Sequence, residues 1–353
     1  MKRGVATLLF FVVPLVVCAQ ANDAVTASSK VRGERAAAAS SPSSLSIVET
    51  TESQFSGPIF GRVKCDEDGN VYLRSFTQER VTSDTVHQSP IQKIKADGSL
   101  AESFKVDDLA SKFSARDFFV TKEGDLYQIA YTEKHEFYVL EFSSDGSLKT
   151  KTRLETEACF PYQLAVFKSG ELLLSGTLWN ENSTRFTGVF SAAGKLIKRL
   201  ATESDQHSAK NADAADSALN SPGGGRNPAV YGEAVAASDG NVYLMQAGSR
   251  ARVYAVSSTG EIIRSFYVDS GDSGLVGVSM KSAPGRLVIA FRRTDSAGIL
   301  LKVVDLEGNA IADYASSERG LPAAFLACYV PPGFIFAQSN AHGPLHLNKA
   351  APR

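Results

Sequence analysis

Asp66-Glu67-Asp68-Gly69-Asn70-Val71-Tyr72-Leu73 is an acidic glycine turn that opens a short apolar run, and the chain repeats it. Copies read Thr121-Lys122-Glu123-Gly124-Asp125-Leu126-Tyr127, Lys168-Ser169-Gly170-Glu171-Leu172-Leu173-Leu174 and Ser238-Asp239-Gly240-Asn241-Val242-Tyr243-Leu244. Weaker copies follow at Pro284-Gly285-Arg286-Leu287 and Pro332-Gly333-Phe334-Ile335. A second glycine turn alternates with the first: Asp97-Gly98-Ser99-Leu100, Asp145-Gly146-Ser147-Leu148, Ala193-Gly194-Lys195-Leu196, Thr259-Gly260-Glu261-Ile262 and Glu307-Gly308-Asn309-Ala310. Glycine supplies the positive φ of tight hairpins, and the flanking Val, Ile, Tyr, Phe and Leu suit half-buried strands. A unit of this kind, repeated at blade-like spacing, is expected to be one blade of an all-β, six-bladed β-propeller.

Each blade reads as strand a, first turn, strand b, loop, strand c, second turn, strand d. The last blade lacks its outer strand after Leu345-His346-Leu347. The segment Ser44-Leu45-Ser46-Ile47-Val48-Glu49 resembles the openings of strand d elsewhere. The N-terminal strand is therefore expected to pair with the last blade and close the ring, which removes a bare sheet edge. Two stretches exceed the repeat, Thr77 to Pro90 and Ala201 to Pro228. Both are expected on the face that carries the b–c loops and d–a links.

Residues 1–21 read as a signal peptide: Lys2 and Arg3, an apolar run too short to span a membrane, then Ala19-Gln20-Ala21 as a small-x-small cleavage site. Cys18 offers a lipoprotein alternative, but Val17 before it is not small. Residues 22–43 are small and polar without alternation and read as a disordered linker, with the propeller over 44–353. The expected location is secreted or periplasmic. The formal net charge is -1, with no basic run, so no nucleic-acid partner is expected, and the mature chain shows no transmembrane segment. A monomer is expected. Beyond the signal, three cysteines remain, Cys65, Cys159 and Cys328. Cys65 and Cys328 read as small core residues of the first and last blades; a bond between them requires Cα atoms within ~7 Å.

The turns and the Gly-Asn-Val-Tyr runs at Gly69 and Gly240, with the Asp97-Gly98 and Asp145-Gly146 turns, resemble the six-bladed propellers of the NHL-repeat type. These motifs build the fold and imply no activity. The broad group includes binding scaffolds and a few metal-dependent lyases and lactonases.

Chemistry-bearing patterns are sparse. Of the five histidines, His342 and His346 are four apart, but the segment reads as extended and holds Pro344, so they share no helical face. A calcium-loop reading of Asp66–Asn70 puts Lys64 at its first ligand position. No Gly-x-Ser-x-Gly occurs, and Gly223-Gly224-Gly225 lacks the Lys-Ser/Thr of a phosphate loop. No catalytic residue, metal ligand or cofactor is assigned. What remains are polar and aromatic residues expected around one channel mouth. Arg116 and Tyr162 precede the inner strands of blades 2 and 3, Tyr231 and Glu233 precede that of blade 4, and Trp179, Arg292 and Arg293 lie in b–c loops. They suit noncatalytic binding of a protein, peptide or glycan at that face. The alternative is a metal-dependent lyase or hydrolase, lactonase-like, of the same fold.

Overall fold

The computed structural model describes residues 41–75, 89–105, 114–132, 136–156, 159–178, 185–200, 232–293, 298–318, 320–339 and 343–353. The expected signal peptide, all but the end of the linker, most of the first long insertion and the whole of the second lie outside them.

The first strand, β1 (Ser43–Ser56), is separated in use from those that follow it. Blade 1 is β2 (Ile59–Cys65), β3 (Val71–Ser75), β4 (Ile91–Ile94) and β5 (Leu100–Phe104). Blade 2 is β6 (Ser114–Val120), β7 (Leu126–Tyr131), β8 (Phe137–Phe142) and β9 (Leu148–Arg153). Blade 3 is β10 (Cys159–Val166), β11 (Leu172–Leu178), β12 (Arg185–Phe190) and β13 (Leu196–Arg199). Blade 4 is β14 (Glu233–Ala236), β15 (Val242–Gln246), β16 (Arg250–Val256) and β17 (Ile262–Asp269). Blade 5 is β18 (Leu275–Ala283), β19 (Arg286–Arg293), β20 (Ile299–Asp305) and β21 (Ala310–Ser316). The last blade holds β22 (Phe325–Val330), β23 (Gly333–Gln338) and β24 (Pro344–Pro352).

Four sheets are simple antiparallel four-strand units. The fifth has eight strands in the order β18-β19-β20-β21-β1-β24-β23-β22. It is two blades joined where β1 meets β21 in parallel at Ser43–Tyr314 and Ser44–Ala315. β1 pairs antiparallel with β24 from Leu45–Pro352 to Ser56–Pro344 and so supplies the fourth strand of the last blade. The inner strands β2, β6, β10, β14, β18 and β22 touch in that cyclic order, and β22 returns to β2. The chain is an all-β propeller.

The turns do what their residues predict. Gly240 adopts φ 85° and Gly69 φ 78°, in the left-handed region that side chains avoid. Asn70 donates its backbone N–H to Asp66 Oδ1 and its amide to Asp66 Oδ2, each at 2.9 Å. The Tyr72 hydroxyl reaches Asp66 Oδ2 at 3.0 Å and the Gly124 carbonyl of the next blade at 3.3 Å. Tyr243 repeats the arrangement with Asp239 and the Leu306 carbonyl of blade 5. Thus the turn tyrosine pins one blade to its neighbour.

The core lies between blades. Tyr72, Ile91 and Phe104 meet Phe118, Leu126 and Phe142 across blades 1 and 2. Val63 and Leu73 meet Ala327, Ile335 and Leu347 across the first and last blades. Burying these faces drives blade against blade, at ~25 cal/mol per Å² of apolar surface. At the ring's seam Cys65 and Cys328 are disulfide-bonded, with Cα atoms 5.6 Å apart.

Candidate functional site in the central channel

The inner strands are irregular where they line the channel. Register shifts interrupt β2 between Phe60 and Lys64, β6 between Ala115 and Phe118, β10 between Pro161 and Gln163, β18 between Gly277 and Ser279, and β22 between Leu326 and Cys328. A bulge adds residues to one strand and re-aims its side chains. Here bulges recur in five of the innermost strands.

One position recurs. Four residues before the residue that opens the first turn stand Arg62, Asp117, Gln163 and Glu233 in blades 1 to 4. Each reaches away from its own blade. The Leu164 N–H of blade 3 donates to Asp117 Oδ2 at 3.1 Å. The Met280 N–H of blade 5 donates to Glu233 Oε2 at 2.9 Å. The Gln163 amide donates to the Gly232 carbonyl of blade 4, and its oxygen accepts from Arg62 Nη2 at 3.0 Å. These bonds clamp neighbouring inner strands and satisfy groups that would be costly to bury alone.

At the axis the clamps merge into a charged cluster. Arg62 Nη1 lies 3.5 Å from Glu233 Oε2, and Lys281 Nζ lies 3.5 Å from Glu233 Oε1. Lys281 Nζ also donates to the Val63 carbonyl at 2.8 Å. The side chains of Glu233 and Lys281 are only 3% and 9% exposed, whereas that of Arg62 is 38% exposed. Lys64 is buried beside them, and its charge acts on both Glu233 and Lys281.

Burial pushes the Glu233 carboxyl up, but the Lys281, Arg62 and Lys64 cations outweigh it and hold the group below its ordinary value. Burial lowers Lys281 to about 8; Glu233 opposes this, while Lys64 and Arg62 add to it. Nearby, Arg74 of β3 is brought down to about 10 by burial against the opposing pull of Asp117.

The expected site residues do not form one group. Glu233 is at the centre of the cluster. Tyr162 is the extra residue of the β10 bulge and is 41% exposed, as are Val278 (38%) in the β18 bulge and Phe325 (38%) at the start of β22. Trp179, Tyr231 and the side chain of Arg116 lie outside the described residues. Three placements differ from the sequence reading. Glu233 opens β14, paired with Met245, rather than preceding it. Arg116 and Tyr162 are within strands β6 and β10 rather than before them, because the bulges let pairing continue past the extra residues. Arg292 and Arg293 end β19, paired with Val276 and Leu275, rather than occupying a loop.

Arg292 is half-buried, and burial lowers its pKa. Arg293 pairs with Asp272 at 2.8 Å and lines a separate cleft of about 730 Å³ at the junction of the fifth and last blades, with Glu318, Ser270 and Arg353. Sequence reading missed Arg62, Lys64 and Lys281. The constant offset from the first turn would have flagged Arg62, but the lysines carry no such signal.

No protein-family model matches the chain, and no curated protein does. Solved structures do resemble it. A protein of unknown function from Dyadobacter fermentans superposes with a TM-score of 0.53 at 12% identity, over 88% of this chain and 99% of that one. Another of unknown function, from Bacteroides caccae, gives 0.46 at 13% identity over 78% and 94%. The calcium-binding protein regucalcin from Agrobacterium tumefaciens gives 0.46 at 13% identity over 87% and 96%. What is shared is the propeller fold. At these identities the likeness carries no activity.

Among the described residues, no three His, Cys, Asp or Glu side chains converge as metal ligands, and no helix is long and apolar enough to cross a membrane.

Proposed function

We propose that this protein is an exported, noncatalytic propeller that binds a protein, peptide or glycan at the channel mouth. The observation that carries this reading is that Tyr162, Val278 and Phe325 are exposed on the innermost strands β10, β18 and β22, and the Arg62 side chain on β2 is exposed in part. Aromatic and apolar groups on a rigid, bulged framework lose little entropy when a partner docks. The Cys65–Cys328 bond supports export, because such bonds persist in oxidising compartments. The metal-dependent lyase or hydrolase reading is disfavoured by charge. Arg62, Lys64 and Lys281 surround the carboxylate Glu233, and that field repels a divalent cation.

The test is affinity capture from the matching envelope or secreted fraction, together with a glycan array, using wild type and Tyr162→Ala. A partner retained by wild type and lost with Tyr162→Ala supports the reading. Turnover of a lactone or uronate panel that Glu233→Gln abolishes would overturn it.

A further inference from the structure

We infer that the central channel is an oxyanion site, in which a carboxylate or phosphate group of the ligand lodges among Arg62, Lys64 and Lys281. This deepens the channel-mouth reading and rests on it for the path of entry.

The first observation is a charge imbalance. Three cations converge on one carboxylate, since Lys281 and Arg62 both pair with Glu233 and Lys64 acts on the same groups. Among the described residues no ion pair joins Asp117 to any of these three cations, and its charge acts on Arg74. Among the other inner strands, β22 (Phe325-Leu326-Ala327-Cys328-Tyr329-Val330) carries no charge and β10 offers only the neutral Gln163. An unmatched buried cation is costly, and an anion bound beside it removes that cost.

The second observation is an open valence. Lys281 already donates to Val63 and Arg62 to Glu233 and Gln163. Lys64 is only 8% exposed as a residue, its ammonium keeps some contact with solvent, and no hydrogen bond or ion pair joins it to another described residue. An ammonium has three donors, and an oxyanion offers several acceptors to match them.

The third observation is access. Glu233 and Lys281 are sealed, while the Arg62 side chain is 38% exposed. A ligand approaching past Arg62 would come under the charges of Lys64 and Lys281, with Val278 and Phe325 exposed on β18 and β22 for its uncharged part. A guanidinium at the entrance with ammonium groups below suits an oxyanion in either carrier, carboxylate or phosphate.

The experiment uses the whole mature protein and small probes. Thermal unfolding is followed in sodium acetate, sodium phosphate and sodium chloride at matched ionic strength, for wild type, Lys64→Met and Lys281→Met. The expected result is a saturable rise in Tm with acetate or phosphate beyond chloride at pH 7. Each variant should weaken its apparent affinity about tenfold, the loss of one charge-assisted contact. The response should fade by pH 10, once Lys281 has lost its proton; the groups facing it are Arg62, Lys64 and Glu233.

Acetate ahead of phosphate identifies a carboxylate ligand, and the reverse a phosphorylated one. A response that follows ionic strength alone, or that both variants retain, overturns the inference. Should either variant misfold, NMR of the wild-type lysines decides: the Lys281 pKa should climb on adding the anion, and no movement counts against the site. Partner capture through Tyr162 with no anion response would leave the mouth reading standing without this site. An anion response without a captured partner would do the opposite.

Discussion

Arg62 of the first blade and Glu233 of the fourth stand 3.5 Å apart, although 171 residues separate them and the two blades face each other across the ring. The contact spans the channel. With Lys281 of blade 5 donating to Val63 of blade 1, it ties opposite and distant blades at the axis, where inter-blade packing alone would leave a lumen.

Removing the carboxylate should be severe. Glu233→Ala strips Arg62, Lys281 and Lys64 of their nearest anion and leaves the Met280 N–H without its acceptor. Breaking a buried pair in this way costs about 3–5 kcal/mol. A urea titration of the variant should show a lower midpoint with an unchanged slope. A midpoint matching wild type would mean that the cluster contributes nothing to stability.

Lys281 gives the pH dependence a sign. Its pKa is about 8 in the folded protein against 10.5 for a free lysine, chiefly through burial. Between those values the unfolded chain holds a proton that the native protein lacks, so this group makes stability rise with pH across that window. Chemical denaturation at pH 8 and pH 10 should show the gain, and Lys281→Met should lack it. Equal slopes in both proteins would place the Lys281 proton elsewhere on the scale.

The disulfide joins the first and last inner strands around a separation of 263 residues. Replacing both cysteines with serine should lower stability by about 2–4 kcal/mol, mostly through the freed unfolded chain. Differential scanning calorimetry with and without reductant should give wild type a reducible part of its Tm that the double variant lacks. A Tm insensitive to reductant would argue that the bond adds little.

Tyr72→Phe tests the turn staple. The hydroxyl contributes bonds to Asp66 and to the Gly124 carbonyl, while Asp66 keeps Asn70 and Lys93 (3.5 Å). The expected cost is about 1 kcal/mol. Burial, then Asp66, holds this hydroxyl above the ordinary tyrosine range, so no phenolate should form at Tyr72 near pH 10. Ultraviolet titration of wild type and variant would reveal one if it did.

The fold was legible because its information is local and repeated. Gly69, Gly124, Gly170 and Gly240 each announce a hairpin by needing a positive φ, and the Ser44–Glu49 stretch announces itself as a spare outer strand. The site was legible only in part. Glu233 and Tyr162 stood out as a carboxylate and an aromatic near inner-strand beginnings. Lys64 and Lys281 carry no mark of burial in the sequence, because ring closure brings together residues 218 apart. The bulges were hidden for a related reason: an extra residue in a strand leaves no mark on composition, only on pairing.

The pairing of β1 with β24 also sets an order of events. The strand that completes the last blade is made before the other described strands and must wait for its partner, Pro344–Pro352, about 300 residues later in the chain. A chain cut short before Pro344 would leave β1 without its antiparallel neighbour, so the hydrogen-bonding edge of Leu45–Ser56 would lie open to proteases and to other chains. Synthesis through Pro352 is thereby a condition of sealing the ring.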